Sequence, residues 1–490
     1  MVSGDPAKGM GMKEAKKIPL YERFAQELEE QIRAGTFPVG TRIPSIRESS
    51  VQQAISFSTV LQAYQLLENR GVLEARPQSG YYVKLQPRKQ VPEPEFESHQ
   101  GDPTSVSIDD VSMRLIQDTL NLDYAQFGAA LPDPTLLPTA KLNRILAELA
   151  RDGKFPHHLG EAVAGREDLR IQVAQRAFSY GCDLSPDEII ITAGCTEALC
   201  LCLQAVCQPG DLVAIESPTY FGILMALEAQ HLRALEIPSH PRKGMSLEAL
   251  RFAVENHPIK AVVAMTNFSN PTGSLLADED KGELVEILSG RGIPLIEDDI
   301  NGELYFSERR PRVAKSYDTE GLVMLCSSFS KDISSGFRIG WVAPGKFYRE
   351  VQCSKYALNI RTSVLPQLTI ARFLESGGYE AHLRKIRRAY AHKIQLMSQA
   401  ILTHFPEGTR ITEPGGGFVL WVQLPGKLDS MALYREALKA FIVVAPGYIF
   451  SPTHKFDDCI RLNAACWSEK AEVDIARLGR VVKNLLMGKR

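Results

Sequence analysis

The 490-residue chain contains no run of apolar residues long enough for a membrane-spanning helix, which needs roughly 18 or more in succession. Cysteine is scarce: nine residues, irregularly spaced. That excludes a disulfide-stapled scaffold and fits a reducing, cytoplasmic compartment. No apolar stretch follows the charges of the opening MVSGDPAKGMGMKEAKK, so no secretory leader is expected there. Glu14, Lys16 and Lys17 read as a disordered tail. There is no internal repeat and no low-complexity tract. Neither sign of charge dominates, with 56 Lys+Arg against 58 Asp+Glu. What is present is globular: 44% hydrophobic and 23% charged residues. At roughly 150 residues per domain, the length allows about three units.

The near-neutral balance hides an asymmetry. Residues 1–90 carry 13 Lys+Arg against 9 Asp+Glu, and the rest of the chain carries 43 against 49. A mildly basic head on an acidic body hints at an anionic partner for the head.

Residues 18–85 read as one small domain. Leu20, Phe24, Leu28 and Ile32 recur every four residues, the period of an amphipathic helix. Gly35, Pro38 and Gly40 end it. Ser45, after Pro44, is a candidate N-cap for a short second helix. A third helix starts near Ser56 or Ser58, runs through Val60, Ala63, Tyr64 and Leu67, and stops before Gly71. Two strand-like runs, Val72–Arg76 and Tyr81–Leu85, flank the turn residues Pro77, Gln78, Ser79 and Gly80. Three helices and a hairpin in this order make a winged helix-turn-helix. If the third helix enters a major groove, Ser56, Ser58 and Thr59 at its start face base edges and phosphates. Arg42 and Arg47 flank the second helix within reach of phosphate or guanine, and Gly80 permits a tight wing tip. Taken singly, each of these is better read as an ordinary cap or surface charge; the ordered set shifts the balance towards DNA contact.

The head resembles the DNA-binding domain of GntR-type bacterial regulators over about 65 residues. The resemblance rests on an aromatic entry, Gly35-x-x-x-x-Gly40-x-Arg42-x-Pro44-Ser45, Ser56-x-x-Thr59-Val60 and the glycine-containing wing. Phe57 stands where such proteins often carry a basic residue.

Residues 86–112, with Pro87, Pro92, Pro94 and Pro103 among charges, read as an extended linker. From 113 to 375, helical stretches alternate with short apolar strands: Glu188–Thr192, Leu212–Glu216, Ala261–Met265, Pro294–Glu297 and Leu322–Cys326. Strands spaced in this way imply βαβ units and a mostly parallel sheet. Residues 376–490 read as a smaller α+β domain.

The chemistry-bearing pieces sit at strand ends. Ser327-Ser328-Phe329-Ser330-Lys331 follows the last strand, with Arg338 seven residues on. A lysine flanked by hydroxyls and followed by an arginine suits a phosphorylated aldehyde: the amine forms a Schiff base, and the arginine and hydroxyls hold phosphate. A lone lysine after a strand is usually a surface residue, so the other pieces matter. Gly194-Cys195-Thr196-Glu197 opens a helix whose N-terminal N–H groups favour an anion. Tyr220 follows another strand and can lie over a flat ring. Asn270 offers an amide at a turn. Asp298 ends a buried strand, where a carboxylate beside a pyridine nitrogen keeps that nitrogen protonated. Arg461 suits bidentate capture of a carboxylate.

Together these pieces resemble fold-type I pyridoxal-phosphate enzymes of the aspartate aminotransferase kind over about 360 residues. The resemblance implies that Lys331 is the Schiff-base lysine and that Asp298 pairs with the pyridine nitrogen. By the same resemblance Asn270 bonds the ring 3-oxygen, and Tyr220 stacks on the ring. It also implies that Cys195, Thr196, Ser328 and Arg338 hold phosphate, and that Arg461 binds an amino-acid carboxylate. Ile300 and Asn301 stand where such enzymes carry a tyrosine that donates to the 3-oxygen.

Cys200, Cys202 and Cys207 lie in an apolar helical run without a matching Cys or His pair, so core thiols are expected rather than a metal site. The basic stretch His382–Lys393 reads as a solvated helix face, with a second DNA-contact surface as the alternative.

A GntR-type head, a Pro-rich linker and an aminotransferase-like body resemble the MocR subfamily of bacterial regulators. That implies a multidomain chain: a winged helix-turn-helix followed by a fold-type I body with a small α+β domain. It implies double-stranded DNA as partner, pyridoxal 5′-phosphate as cofactor, an amino acid, amine or B6 vitamer as effector, and a head-to-tail homodimer. The alternatives are a working aminotransferase with a fused DNA-binding head, and a repressor whose body has lost its cofactor and serves only to dimerise.

Overall fold

A computed structural model describes residues 19–33, 36–37, 40–69, 72–76, 79–84, 93–95, 101–106, 110–121, 123–151 and 163–488. The expected tail residues Glu14, Lys16 and Lys17 lie outside the described residues. So do Gly35, Pro38, Gly71, Pro77, Gln78, Leu85, Pro87 and Pro92. The chain divides into two compact units, residues 1–91 and 92–490.

In the head, α1 (Leu20–Arg33), α2 (Ile46–Gln52) and α3 (Phe57–Asn69) precede an antiparallel hairpin of β1 (Leu73–Arg76) and β2 (Gly80–Val83). The order matches the winged helix-turn-helix read from the sequence. Ser45 caps α2 in a capping box: its hydroxyl accepts from Glu48 N, and the Glu48 carboxylate accepts from Ser45 N. Of the α1 stripe, Leu28 is buried, Phe24 and Ile32 are partly buried and Leu20, at the helix start, is 47% exposed; Ala25 is buried beside them, and α3 buries Val60, Ala63, Tyr64 and Leu67. The Tyr64 hydroxyl donates to the Pro44 carbonyl at 2.9 Å and lies 2.7 Å from Ser49 Oγ, so the one buried phenol is satisfied by both neighbouring segments.

The second unit begins differently from the expected linker. Where residues 86–112 are described they are docked. Glu93 pairs with Arg242 and Glu95 with Arg410. Thr104–Ser105 pairs antiparallel with Arg233 and Ala234, and α4 (Asp110–Asp118) begins before residue 113. Proline and charge signalled the absence of a free-standing core. They did not reveal that an existing sheet edge would take up a two-residue strand.

The body's main elements are β3 (Ile190–Thr192), α5 (Cys195–Val206), β4 (Leu212–Ser217), β5 (Arg233–His240), β6 (Ile259–Ala264), β7 (Leu295–Asp298), β8 (Val323–Ser328) and β9 (Gly340–Ala343). Across the sheet the order is Thr104–Ser105, β5, β4, β6, β7, β8, β9, β3. From β5 to β8 the neighbours run parallel, and β9 is antiparallel to both β8 and β3. Strands β4, β7 and β8 are buried along their whole length, as a parallel sheet covered on both faces requires. Strand ends differ slightly from the expected runs. Glu188 belongs to a helical turn, Pro186–Glu188, while Asp298 and Ser327–Ser328 are inside their strands. Beyond Ser376, α6 (Gly378–His404) and the helix Glu469–Leu486 flank an antiparallel four-stranded sheet around β10 (Val419–Gln423) and β11 (Cys459–Asn463).

Cys202 and Cys207 are buried and Cys200 partly so, packed within one apolar cluster as core thiols. The solvated-face reading of His382–Lys393 needs correction. Arg387 is buried and paired with Glu303, and Lys393 pairs with Asp133 at 2.6 Å. The stretch lies on α6, one side of which is interior, so its basic residues divide between paired and exposed.

Candidate functional site

Strands β3, β4, β7 and β8 all deliver their C-terminal ends to one place, the position where open α/β sheets bind ligands. A cavity of about 400 Å³ lies there, within the range of roughly 300–1,000 Å³ usual for small-molecule sites. Its wall includes Cys195, Thr196, Tyr220, Asn270, Asp298, Ser328, Lys331, Arg338 and Arg461. All nine body residues singled out from the sequence therefore open into one cavity.

Lys331 stands three residues beyond β8, and its Nζ donates to the Ala130 carbonyl at 2.6 Å. Burial, and then the nearby Arg461 guanidinium, pull its pKa down from 10.5 to about 8. Asp298, at the end of β7, accepts at Oδ1 from Ile300 N at 3.0 Å and from the Cys195 thiol at 3.2 Å. Burial raises its pKa to about 6, against the opposing pull of the Cys195 hydrogen bond. The thiol of Cys195 is thus taken up by the Asp298 carboxylate. What Cys195 offers an anion is its main-chain N–H in the first turn of α5, where helical N–H groups lack intrahelical partners.

Gly194 precedes that turn at φ 102°, and a Cβ there would sit 2.6 Å from Arg338 Nη2. Only glycine lets the arginine lie against the helix start. Arg338 also donates to the Ala193 carbonyl at 3.2 Å and reaches Ser330 Oγ at 3.5 Å. Ser330 lines the cavity, and the assignment from sequence missed it. The signal was its place directly before Lys331 in the run of hydroxyls. Ser328 Oγ accepts from Ser330 N at 3.1 Å.

Tyr220 caps the helix Phe221–Ala229, and its ring occupies the space that a Cβ on Gly222 would need, 2.3 Å from Cε1. Gly222 is a second residue the sequence did not flag. Arg461, in β11, is almost wholly buried. Its Nη1 donates to Asn270 Oδ1 at 3.0 Å, its Nη2 to the Gly128 carbonyl, and its Nε has no partner among the described residues. Burial lowers its pKa to about 10. Ile300 and Asn301 both line the cavity, and Asn301 Nδ2 donates to the Phe268 carbonyl at 2.9 Å.

These features fit a phosphorylated aromatic aldehyde. An arginine, two hydroxyls and a helix start converge at one end, a buried carboxylate stands at another, and an amine of lowered pKa lies between named walls. Arg461 sets a buried guanidinium in the cavity wall, and among the described residues its Nε, like that of several other arginines, has no acceptor.

In the head, Ser56, Ser58 and Thr59 form one hydroxyl cluster at the start of α3. Ser56 Oγ lies 2.9 Å from Ser58 Oγ and 2.7 Å from Thr59 Oγ1, and it accepts from Thr59 N at 3.1 Å. Ser56 therefore does cap the helix, while Ser58 stays exposed. Phe57, half exposed, opens α3. Arg47 is exposed on α2. Arg42 bridges to Tyr82 of the wing and packs beside Gly80, its Nε 3.2 Å from where a Cβ on Gly80 would stand.

Residues 154–477 match the model of the aminotransferase class I and II family, and residues 20–83 match that of the gntR family of bacterial regulatory proteins. The chain is 39% identical to the HTH-type transcriptional regulator YdcR of Escherichia coli over 95% of its own length and 99% of the relative's. It is 35% identical to a second such regulator of that organism, YjiR, over 94% and 98%. Among solved structures it is similar to the multiple substrate aminotransferase of Thermococcus profundus, with a TM-score of 0.72 and 25% identity over 78% of this chain and 96% of that one. It is also similar to LysN, an alpha-aminoadipate aminotransferase of Thermus thermophilus complexed with N-(5′-phosphopyridoxyl)-L-leucine. There the TM-score is 0.71, with 28% identity over 78% and 98%.

Proposed function

Since the chain belongs to the aminotransferase class I and II family and carries a gntR-type domain ahead of that body, a fusion of the MocR type, we propose that it is a DNA-binding transcriptional regulator whose body holds pyridoxal 5′-phosphate and senses an amino acid, an amine or a B6 vitamer. One observation carries the reading. Nine residues from seven separate stretches of the body line one cavity, in a chain that also has a winged helix.

Each residue then has a task. Lys331 supplies the amine for the covalent tether. Asp298 holds a proton on the pyridine nitrogen, and Asn270 Nδ2 remains available to the ring 3-oxygen while Oδ1 is held by Arg461. Arg338, Ser328, Ser330, Thr196 and the N–H of Cys195 take the phosphate, and Tyr220 covers the ring. Arg461 receives the effector's carboxylate at its unpartnered edge. The bound cofactor supplies an electron sink and an aldehyde that a second amine can compete for. An effector bound beside Lys331 and Arg461 would change what holds the 298–303 and 331–332 segments, and would so shift the body between two arrangements that differ in DNA affinity.

In the head, Arg42, Arg47, Ser58 and Thr59 contact duplex DNA, with Ser56 fixing the helix start and Gly80 the wing. The working unit is a homodimer. Three exposed apolar residues, Tyr356, Leu358 and Ile360, at the end of the helix Tyr348–Asn359 suit burial against a second copy. No helix among the described residues is long and apolar enough to cross a membrane, and we place the protein in the cytoplasm.

The test selects binding sites from a random duplex library with the full-length protein. It then compares affinity for the selected site in the apo form, in the loaded form and in Lys331→Ala. A severalfold change on loading that Lys331→Ala abolishes supports the proposal. Equal affinity in all three states refutes it. A working transaminase is the second reading, favoured by Lys331, Asp298, Asn270 and Arg461 lining one cavity and weakened by Ile300 and Asn301 at the place of the usual tyrosine. It predicts turnover near the roughly 10 per second of a median enzyme, whereas the regulator reading expects far less.

A further inference from the structure

Every charge lining the cavity already has a task, and the lining at its α4 edge is uncharged: Leu115, Ile116, Thr119, Leu120 and Leu131, with the Thr119 hydroxyl turned to the Ile116 carbonyl. The cationic side chains there are Lys331, Arg338 and Arg461. Arg338 lies against the Gly194 turn, and Arg461 reaches Asn270 and Gly128. The one carboxylate lining it, Asp298, is turned to Cys195 and the Ile300 N–H. Among the described residues, then, no lining cation is left over for a second carboxylate and no anion for a side-chain ammonium.

Beside Arg461, the segment 128–131 runs between Lys331 and α4. Its Gly128 carbonyl receives Arg461 and its Ala130 carbonyl receives Lys331. A Cβ on Gly128 would stand 3.0 Å from Leu115 of α4, so the helix lies directly against this segment. Ile116 on α4, Leu120 just after it and Leu131 line the cavity while remaining 36%, 76% and 51% exposed. Aliphatic side chains that edge a cavity and stay in water gain by being covered.

Resting on the reading of this cavity as an amino-acid site, we propose that the effector is a monocarboxylic α-amino acid with an apolar side chain. Its carboxylate meets Arg461, and its side chain lies along Ile116, Leu120 and Leu131. Each methylene group buried there raises affinity roughly fourfold. A carboxylate or ammonium in the same place loses water and finds no counter-charge among the described residues.

The experiment titrates full-length protein loaded with pyridoxal 5′-phosphate with L-leucine, L-phenylalanine, L-glutamate and L-lysine. It follows both the visible absorbance and the heat of binding. Leucine and phenylalanine should bind at least tenfold tighter than glutamate and lysine. In Leu131→Arg the gap between leucine and glutamate should close by tenfold or more. In the milder double variant Ile116→Ala, Leu131→Ala, leucine should weaken about tenfold while L-alanine is unchanged. Glutamate or lysine binding as tightly as leucine overturns the inference and leaves the amino-acid reading standing. If no amino acid changes absorbance or heat, that reading fails and the inference with it.

Discussion

Lys331 can react with an aldehyde only as the neutral amine, and the structure sets how much of that form exists. Burial and the Arg461 charge bring its pKa to about 8. At pH 7 roughly one molecule in ten then carries a neutral amine, against roughly one in three thousand for an unperturbed lysine. The perturbation is pH, applied to the apoprotein, and the assay is stopped-flow absorbance on mixing with pyridoxal 5′-phosphate. The logarithm of the capture rate should rise by about one per pH unit up to about pH 8 and then flatten. Two variants fix the cause. Arg461→Gln removes a nearby cation that disfavours the ammonium, so the break moves to higher pH. Asp298→Asn removes the anion that favours the ammonium, so the break moves to lower pH. A rate still climbing tenfold per unit between pH 9 and 10 would refute the reasoning. So would two variants that shift the break in the same direction.

Other outcomes follow from the same structure. Arg47→Ala should weaken DNA binding and, by removing one phosphate contact, flatten the plot of log affinity against log salt by about one; an unchanged gel shift rejects Arg47 as a contact. Asn301→Tyr places a phenol at the cavity wall and should shift the absorbance of the loaded protein, while an unchanged spectrum means that position 301 does not face the ring. Glu303 is held by Arg176, Arg310 and Arg387, and these guanidiniums keep its pKa near 2, overcoming burial. Because its folded pKa is depressed, its contribution is present above the ordinary carboxylate pKa and is lost as the pH falls towards 2. Glu303→Gln leaves the arginines without their shared anion and should cost about 3–5 kcal/mol, read as a lower urea midpoint for the body at pH 7 and a much smaller difference near pH 2.

The site was legible because its residues sit in short strand-end motifs whose neighbours carry the signal. Lys331 follows hydroxyls, Gly194 precedes a helix and Asp298 ends an apolar run. The winged helix was legible for the same reason, through Ser45 and the four-residue stripe from Leu20 to Ile32. Contacts between distant segments were not legible. Arg461 meets Asn270 across 191 positions, and nothing local to either residue says so. Arg387 looks in sequence like any other charge of a basic helix. Its partner, Glu303, lies 84 residues away, and only folding reveals that the pair is interior. The segment 86–112 misled for the converse reason: its composition describes what it cannot do alone, and its described parts are held by a body that supplies the missing partners.

Those distant contacts also give the cavity a route outward. Asp299 and Glu303, just past Asp298, are gripped by Arg310, and Glu303 also by Arg387 of α6. Asp332, the neighbour of Lys331, accepts from the Tyr379 hydroxyl, and its carbonyl meets His382; both partners are on α6. Asp298 and Lys331 are therefore each followed, within five positions, by a residue bonded to the same 27-residue helix. Displacement of either strand end must break a buried ion pair, break a buried hydrogen bond or carry α6 with it. Breaking a buried pair is costly, and α6 is itself anchored by buried residues including Leu383, Ile386, Tyr390 and Met397. Both strand ends at the cavity are thereby tied to one packed helix.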